Sequence, residues 1–274
     1  MDFEHVLEVV QKTDTGKMRK CNEDSIACLP RLGVLVLADG MGGHNAGEVA
    51  SGMATSFLVN EFDRLLAEKP LSVQPGEVAK TQGISLLNEL IGEVNLAIFQ
   101  ASEGNPQYKG MGTTLVVVVF YDNRMLVAHI GDSRLYRVRN GEMTQLTKDH
   151  SLLQEWIDSG MITPEQALTA THKNLVTRAL GVEAKVEAEI HEHEVMPGDL
   201  FLICSDGLYD MVLDEDIALT LTSLGANLDL AAGQLIDQAN DNGGKDNISI
   251  VLARVKAGFG APQGWWQKFQ AWVK

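Results

Sequence analysis

Residues 35–44 read Leu35-Val-Leu-Ala-Asp39-Gly-Met-Gly-Gly-His44. Four apolar residues in a row fit a strand covered on both faces. The run ends in a carboxylate, a glycine-rich turn follows, and helical spacing begins just beyond. A carboxylate at the end of a buried strand is costly unless something positive meets it. Glycines let the backbone approach that partner. A phosphate-cradling loop is the rival reading, since turn amides and helix N-termini attract anions. Asp39 would repel phosphate but suits a hard cation, so Asp39 and the Gly40 carbonyl are candidate oxygen ligands. Turn preferences alone would also account for an Asp-Gly pair, and the rest of the chain has to decide.

The chain has 274 residues, enough for one large domain or two small ones, and 45% are apolar. With 37 acidic against 22 basic residues the net charge is −15, which disfavours nucleic acid and anionic membrane as partners. Cys21, Cys28 and Cys204 form no CxxC pair, so neither a disulfide framework nor a zinc site is expected and a cytoplasmic location fits. The N-terminal Met-Asp-Phe-Glu-His has no export signal, and the longest aliphatic runs, such as Leu115 to Phe120, are too short to span a bilayer.

Strands are predicted at Val6–Val10, Ser25–Leu29 and Gly33–Ala38. Asn45 and Glu48 have the spacing of a capping box. Ala46, Val49, Ala50, Met53, Ala54, Phe57, Leu58 and Phe62 then recur at helical spacing. Two prolines make residues 67–82 a loop, and a second helix follows with Ile84, Leu87, Ile91, Val94, Ile98 and Ala101 on one face. Thr114–Tyr121 and Met125–Ile130 form one hairpin. Arg134–Arg139 and Glu142–Leu146 form another around Asn140-Gly141. Residues 147–180 are polar and mixed, with helical pieces near Ser151–Asp158 and Pro164–Leu168, and read as a small subdomain that stands apart. Strands at Val186–Val195 and Leu200–Cys204, helices at Asp214–Leu224 and Leu228–Asn240, and a last strand at Ile248–Val255 complete the order. The elements do not alternate βαβα, so an α+β fold of two stacked antiparallel sheets with helices outside is expected. Residues 1–256 are read as one domain. The tail, 257–274, carries Trp265, Trp266, Phe269, Trp272 and Val273 on one helical face, for packing back or for docking a partner.

Four further acidic turns repeat the logic of Asp39: Asn22-Glu23-Asp24, Gly131-Asp132-Ser133-Arg134, Ser205-Asp206-Gly207 and Lys245-Asp246-Asn247. Several strands ending in such turns would gather unpaired carboxylates at one edge of the sheets, where they repel one another. Divalent cations would relieve that repulsion. An all-oxygen ligand set selects Mg2+ or Mn2+ over Zn2+. Two such ions about 3.5–4 Å apart can activate a shared water for phosphoester hydrolysis, with Arg19 as the nearest phosphate clamp.

In order, Arg-x-x-Asn-Glu-Asp at 19–24, Asp-Gly-Met-Gly-Gly-His at 39–44, Gly-Met-Gly-Thr-Thr at 110–114, Gly-Asp-Ser-Arg at 131–134, Ser-Asp-Gly at 205–207 and Asp-Asn at 246–247 resemble the metal-dependent serine/threonine protein phosphatases of type 2C, the PPM family, in its compact bacterial branch. The resemblance spans about residues 6–255 and implies a four-layer α-β-β-α sandwich. It implies hydrolysis of phosphoserine and phosphothreonine on proteins by direct attack of a water bridging two Mn2+ or Mg2+ ions, opposing a serine/threonine kinase in bacterial signalling. Asp39 would bridge the ions, the Gly40 carbonyl would ligate the second, and Asp206 and Asp246 the first. Glu23 and Asp24 would hold metal-bound waters, Asp132 with Asp206 would serve a third ion, and Arg19 would bind the substrate phosphate. Partners would be phosphorylated proteins and a cognate kinase, and the chain would be a monomer. The segments Lys148-Asp-His150 and Thr177-Arg-Ala-Leu-Gly181 resemble the bacterial flap. Eukaryotic members carry a histidine where Met41 stands, and His44 is the substitute candidate for the general acid.

Two other readings stay open: a silent phosphoprotein-binding module of the same fold, and a metal-dependent nuclease, against which the acidic surface speaks. His191 and His193 share a strand face, but no third soft ligand is evident. His129, inside an apolar strand, reads as a core residue.

Overall fold

The computed structural model describes residues 3–43, 46–71, 76–163, 166 and 175–260. Eleven strands are described: β1 (Leu7–Asp14), β2 (Asp24–Leu29), β3 (Val34–Met41), β4 (Gly112–Thr113), β5 (Leu115–Tyr121), β6 (Arg124–Ile130), β7 (Arg134–Arg139), β8 (Glu142–Gln145), β9 (Glu189–Glu194), β10 (Leu200–Cys204) and β11 (Ile248–Val255). The helices are α1 (Ala46–Glu68), α2 (Gly76–Gly104), α3 (Leu152–Asp158), the single turn α4 (Asp206–Tyr209), α5 (Asp214–Leu224) and α6 (Leu228–Asp241). One sheet runs β1-β11-β10-β7-β8. The other runs β2-β3-β5-β6-β9, with β4 flanking β3. The pairings are antiparallel throughout.

Three apolar cores lie between four layers, and strand periodicity sorts residues into them. Val34, Val36 and Ala38 of β3 join Val117 and Val119 of β5 against α1 and α2. Leu35 and Leu37 point the other way, with Val116, Val118, Phe201, Ile203 and Val251 between the sheets. Leu202, Ile250 and Leu252 face outward again to meet Leu221, Leu235 and Ile236 of α5 and α6. β5 is therefore buried along its whole length, which explains its unbroken aliphatic sequence.

Both predicted hairpins are present as two-residue turns. Asp122 and Asn123 have φ of 40° and 53°, and Asn140 and Gly141 have φ of 53° and 85°. Tyr121 pairs with Arg124 and Arg139 with Glu142 across the turns. Positive φ at both centres gives the twist that matches the strands.

Several boundaries differ from the sequence reading, and β3 runs on through Asp39 to Met41 instead of ending at Ala38. β1 runs four residues past Val10 because Gln11 to Asp14 pair with β11, although their side chains alternate between half-buried and exposed. The loop expected at 67–82 is shorter: α2 starts at Gly76, because Ala79 and Gly83 pack on the core side, and Leu71 is buried just before it. β9 begins at Glu189 rather than Val186. Asn45, the expected cap, most of the helical piece at 164–168, and Trp265, Trp266, Phe269, Trp272 and Val273 of the tail lie outside the described residues. Of the tail, Phe259 is described. It is fully buried, edge-on to Phe3 at 5.3 Å and to Phe120 at 6.1 Å.

Gly207 is the second residue of α4 and lies against the residue before β11, where a Cβ would overlap the Asn247 carbonyl. Gly92 lies mid-α2 with open space around it. Gly207→Ala should therefore cost on the order of 1–3 kcal/mol, whereas Gly92→Ala should gain roughly 0.5–1 kcal/mol. Urea denaturation of both variants measures the opposite signs.

Candidate active site

The strand ends place the acidic turns together. In the β2–β3 register Asp24 stands directly opposite Asp39. Asp132 follows β6, Asp206 opens α4 at the end of β10, and Asp246 precedes β11. Arg19, Glu23, Asp39, Gly40, Met41, Thr114, Asp132, Asp206 and Asp246 line one cavity of about 400 Å3. Leu175 and Val176 reach the same cavity from the flap segment. The flap base is fixed by bridges from Ser151 to Val176 and from Thr113 to Leu180. Buried Asn95 of α2 accepts from the Gly181 amide at 2.8 Å.

Backbone contacts hold the acids in place. The Gly40 amide donates to the Glu23 carbonyl (3.0 Å), and the Thr114 amide donates to the Asp39 carbonyl (2.8 Å). The Glu23 carboxylate accepts from the first amides of α1, at Gly47 and Glu48. That is a favourable end of a helix for an anion. Asn247 is the knot: its Oδ1 accepts from the Glu23 amide (2.8 Å), and its Nδ2 donates to the carbonyls of Thr15 (2.9 Å) and Cys21 (3.0 Å). Ser205 Oγ donates to Asp24 Oδ2 at 2.8 Å. Tyr209 Oη donates to the Asp132 carbonyl at 3.0 Å, and its ring lies 3.7 Å beneath the Arg134 guanidinium, which grips Asp149 with two arms. The sequence reading gave no task to Asn247, Ser205 or Tyr209. An Asn starting a buried strand was the available signal.

The electrostatics of this group are unfavourable on their own. Burial, then the charges of Asp24, Asp206, Asp132 and Asp246, push Asp39 well above the usual carboxylate range. Burial followed by Asp132 and Asp246 does the same to Asp206. Burial lifts Asp24 to about 6 and, with Asp149 adding to it, Asp132 to about 6. Glu23 is also raised, chiefly by burial. Asp24 Oδ1 is buried with no hydrogen-bond partner. The one cation side chain bonded to these acids among the described contacts is Arg19, 2.6 Å from Asp246 Oδ2 and half exposed. An all-oxygen cluster with an orphaned carboxylate oxygen and excess negative charge fits hard divalent ions. His44 lies outside the described residues.

A second polar group lies beside the first. His129, His150 and Glu189 bring ligand atoms within 4.8 Å of one another, a spacing that can coordinate a divalent metal. Sequence spacing gave no warning of it, since β6, the flap entry and β9 each contribute one residue.

The family model for protein phosphatase 2C matches residues 17–234. The chain belongs to the protein phosphatase 2C family. It is 40% identical over 257 residues to the serine/threonine protein phosphatase PstP of Mycobacterium tuberculosis, covering 91% of this chain and 45% of that protein. The chain thus spans less than half the length of PstP. It is 38% identical to the serine/threonine phosphatase stp of Listeria innocua, covering 88% of this chain and 93% of that one. The crystal structure of the PstP catalytic domain in complex with two manganese ions superposes with a TM-score of 0.77 at 38% identity, covering 92% of this chain and 99% of that one. The two antiparallel sheets flanked by helices agree with the family fold. No helix among the described residues is long and apolar enough to cross a membrane.

The raised carboxylates carry a pH signature. In an unfolded chain Asp titrates at about 3.9. The folded metal-free protein holds Asp24 and Asp132 protonated up to about 6. Their contribution to stability is complete below the unfolded value and is lost as pH rises through about 6. After chelation, Tm should fall between about pH 5 and pH 7.5, and added Mn2+ should raise Tm more at the higher pH. Calorimetry at both pH values, with and without Mn2+, measures this.

Proposed function

We propose that this chain hydrolyses phosphoserine and phosphothreonine on proteins, with a pair of Mn2+ or Mg2+ ions held in the carboxylate cavity. The supporting observation is the convergence of Asp39, Asp132, Asp206 and Asp246 from four separate turns on one cavity with Arg19 at its edge. Asp39, the Gly40 carbonyl, Asp206 and Asp246 would hold two ions, and Asp132 with Asp206 a third. When bound, such ions lower the pKa of water and neutralise phosphate charge.

The chain's own groups do the rest. Arg19 offers its guanidinium to the phosphate oxygens, a planar match for that group. Its bond to Asp246 aims it at the cavity and keeps it charged. Glu23, held by the α1 amides, and Asp24, held by Ser205, are acceptors that orient the attacking water. Met41 lines the cavity but has no proton to give, so His44 is assigned as the acid for the leaving alkoxide. Leu175 and Val176 supply an apolar wall from the flap on which residues flanking the phosphorylated side chain can rest. The natural substrates are phosphoproteins made by a serine/threonine kinase, and the site of action is the cytoplasm. The acidic net charge of −15 favours this reading over a nuclease.

The test is Mn2+-dependent phosphate release from a phosphothreonine peptide, with duplex DNA as the competing substrate. Asp39→Asn should lower kcat on the peptide by about 100-fold or more, and DNA should stay intact. Arg19→Ala should act mainly through KM, lowering kcat/KM by about 10- to 150-fold. His44→Asn should slow the peptide more than nitrophenyl phosphate, whose leaving group needs no acid. Equal losses on both substrates would remove His44 from that role.

A further inference from the structure

His150 grips the residue before Asp132 from both sides. Its backbone amide donates to the Gly131 carbonyl at 2.9 Å. Its ring Nδ1 accepts from the Gly131 amide at 3.2 Å. Gly131 has φ of +97°, which glycine adopts freely, and with no side chain of its own its position is set by neighbouring groups. The other ring nitrogen of His150, Nε2, lies 3.1 Å from Glu189 Oε2. Glu189 Oε1 meets His191 Nε2 at 2.7 Å. The His150 ring stacks on His129, centroids 4.9 Å apart, and is buried.

These contacts fix a tautomer. A neutral imidazole carries one N–H. Nδ1 faces a donor, so the proton sits on Nε2 and points at Glu189. The same geometry disfavours a metal on His150, because a ligating imidazole turns its remaining N–H toward an acceptor, and here the remaining nitrogen faces the Gly131 amide. Burial holds His150 below the usual imidazole range, which keeps Nδ1 free to accept. Burial opposes ionisation of Glu189, but hydrogen bonds from His191 and His150 outweigh it and hold the carboxyl down at about 2. The acceptor is thus always present.

We propose that Glu189 and His150 are positioning residues for Asp132: Glu189 selects the His150 tautomer that accepts the Gly131 amide, and this sets where Asp132 stands at the cavity. His150 also receives the Thr177 amide on its carbonyl at 2.8 Å. The same residue therefore links the flap to the Asp132 turn. The effect on metal binding rests on the reading of Asp132 as a ligand of the weakest ion, whereas the tautomer does not.

The test uses the full chain and three variants, Glu189→Ala, Glu189→Gln and Asp132→Asn. Glutamine keeps an acceptor oxygen for His150, alanine does not. Imidazole 15N spectra should show His150 protonated at Nε2 in the wild type and Glu189→Gln, and a tautomer mixture in Glu189→Ala. Hydrogen exchange at the Gly131 amide should be faster in Glu189→Ala alone. In a Mn2+ titration followed by EPR, Glu189→Ala should weaken the weakest class of bound ions by about tenfold, leave the tighter ions unchanged, and be rescued by Gln. An Nδ1–H tautomer in the wild type overturns the proposal, as does unchanged Gly131 exchange in Glu189→Ala. If Asp132→Asn removes the weak ions and Glu189→Ala does not, the positioning claim fails while Asp132 keeps its role. If Asp132→Asn leaves the weak ions in place, the ligand reading of Asp132 fails, and the tautomer and exchange results still decide for or against the positioning of Gly131.

Discussion

Two carboxylates face one another across a strand pair, and much of the site follows from that fact. Asp24 and Asp39 are in register on β2 and β3, where like charges directly opposite are destabilising. Asp132, Asp206 and Asp246 add to the repulsion. A fold left with this cluster would be expected either to protonate it or to neutralise it with cations. Protonated acids at neutral pH would serve no chemistry that needs a hard anionic cage. Divalent ions turn the same repulsion into affinity.

The four-layer architecture makes the arrangement affordable in stability. Each sheet is buried on both faces, so the strands are stiff and their ends are fixed to within hydrogen-bonding precision. The cluster sits where those ends meet, stitched by Asn247, Thr114 and the first turn of α1. Binding energy for ions can then be used without ordering the site first. The flap segment reaches the cavity through Leu175 and Val176, and bridges to Ser151 and Thr113 tie its described part to the rest of the fold.

Much of this was legible in the residues. Strand ends marked by Asp39, Asp132 and Asp206 gave away a common edge because the same local pattern recurred, and both tight hairpins followed from Asp122-Asn123 and Asn140-Gly141. Polar stretches were harder. Lys12 to Asp14 lack strand character and are drawn into the strand by pairing with β11. The first residues of α2 follow prolines that look like a loop, although proline is welcome at a helix start. The supporting residues around the site were the least visible. Asn247, Ser205, His150 and Glu189 act through partners far away in sequence, and no spacing rule connects a histidine at 150 to a glutamate at 189. His129 is buried, as its apolar setting suggested, yet its Nδ1 has no partner, and the ring stacks on an element that the sequence placed in the flap.

The central claim is that the converging carboxylates hold a pair of hard cations. Anomalous diffraction at the manganese edge, from crystals grown in Mn2+, measures this directly. The account predicts two peaks roughly 3.5–4 Å apart, bounded by Asp39, the Gly40 carbonyl, Asp206 and Asp246. An empty cavity, or a single ion seated only at His129, His150 and Glu189, would contradict it.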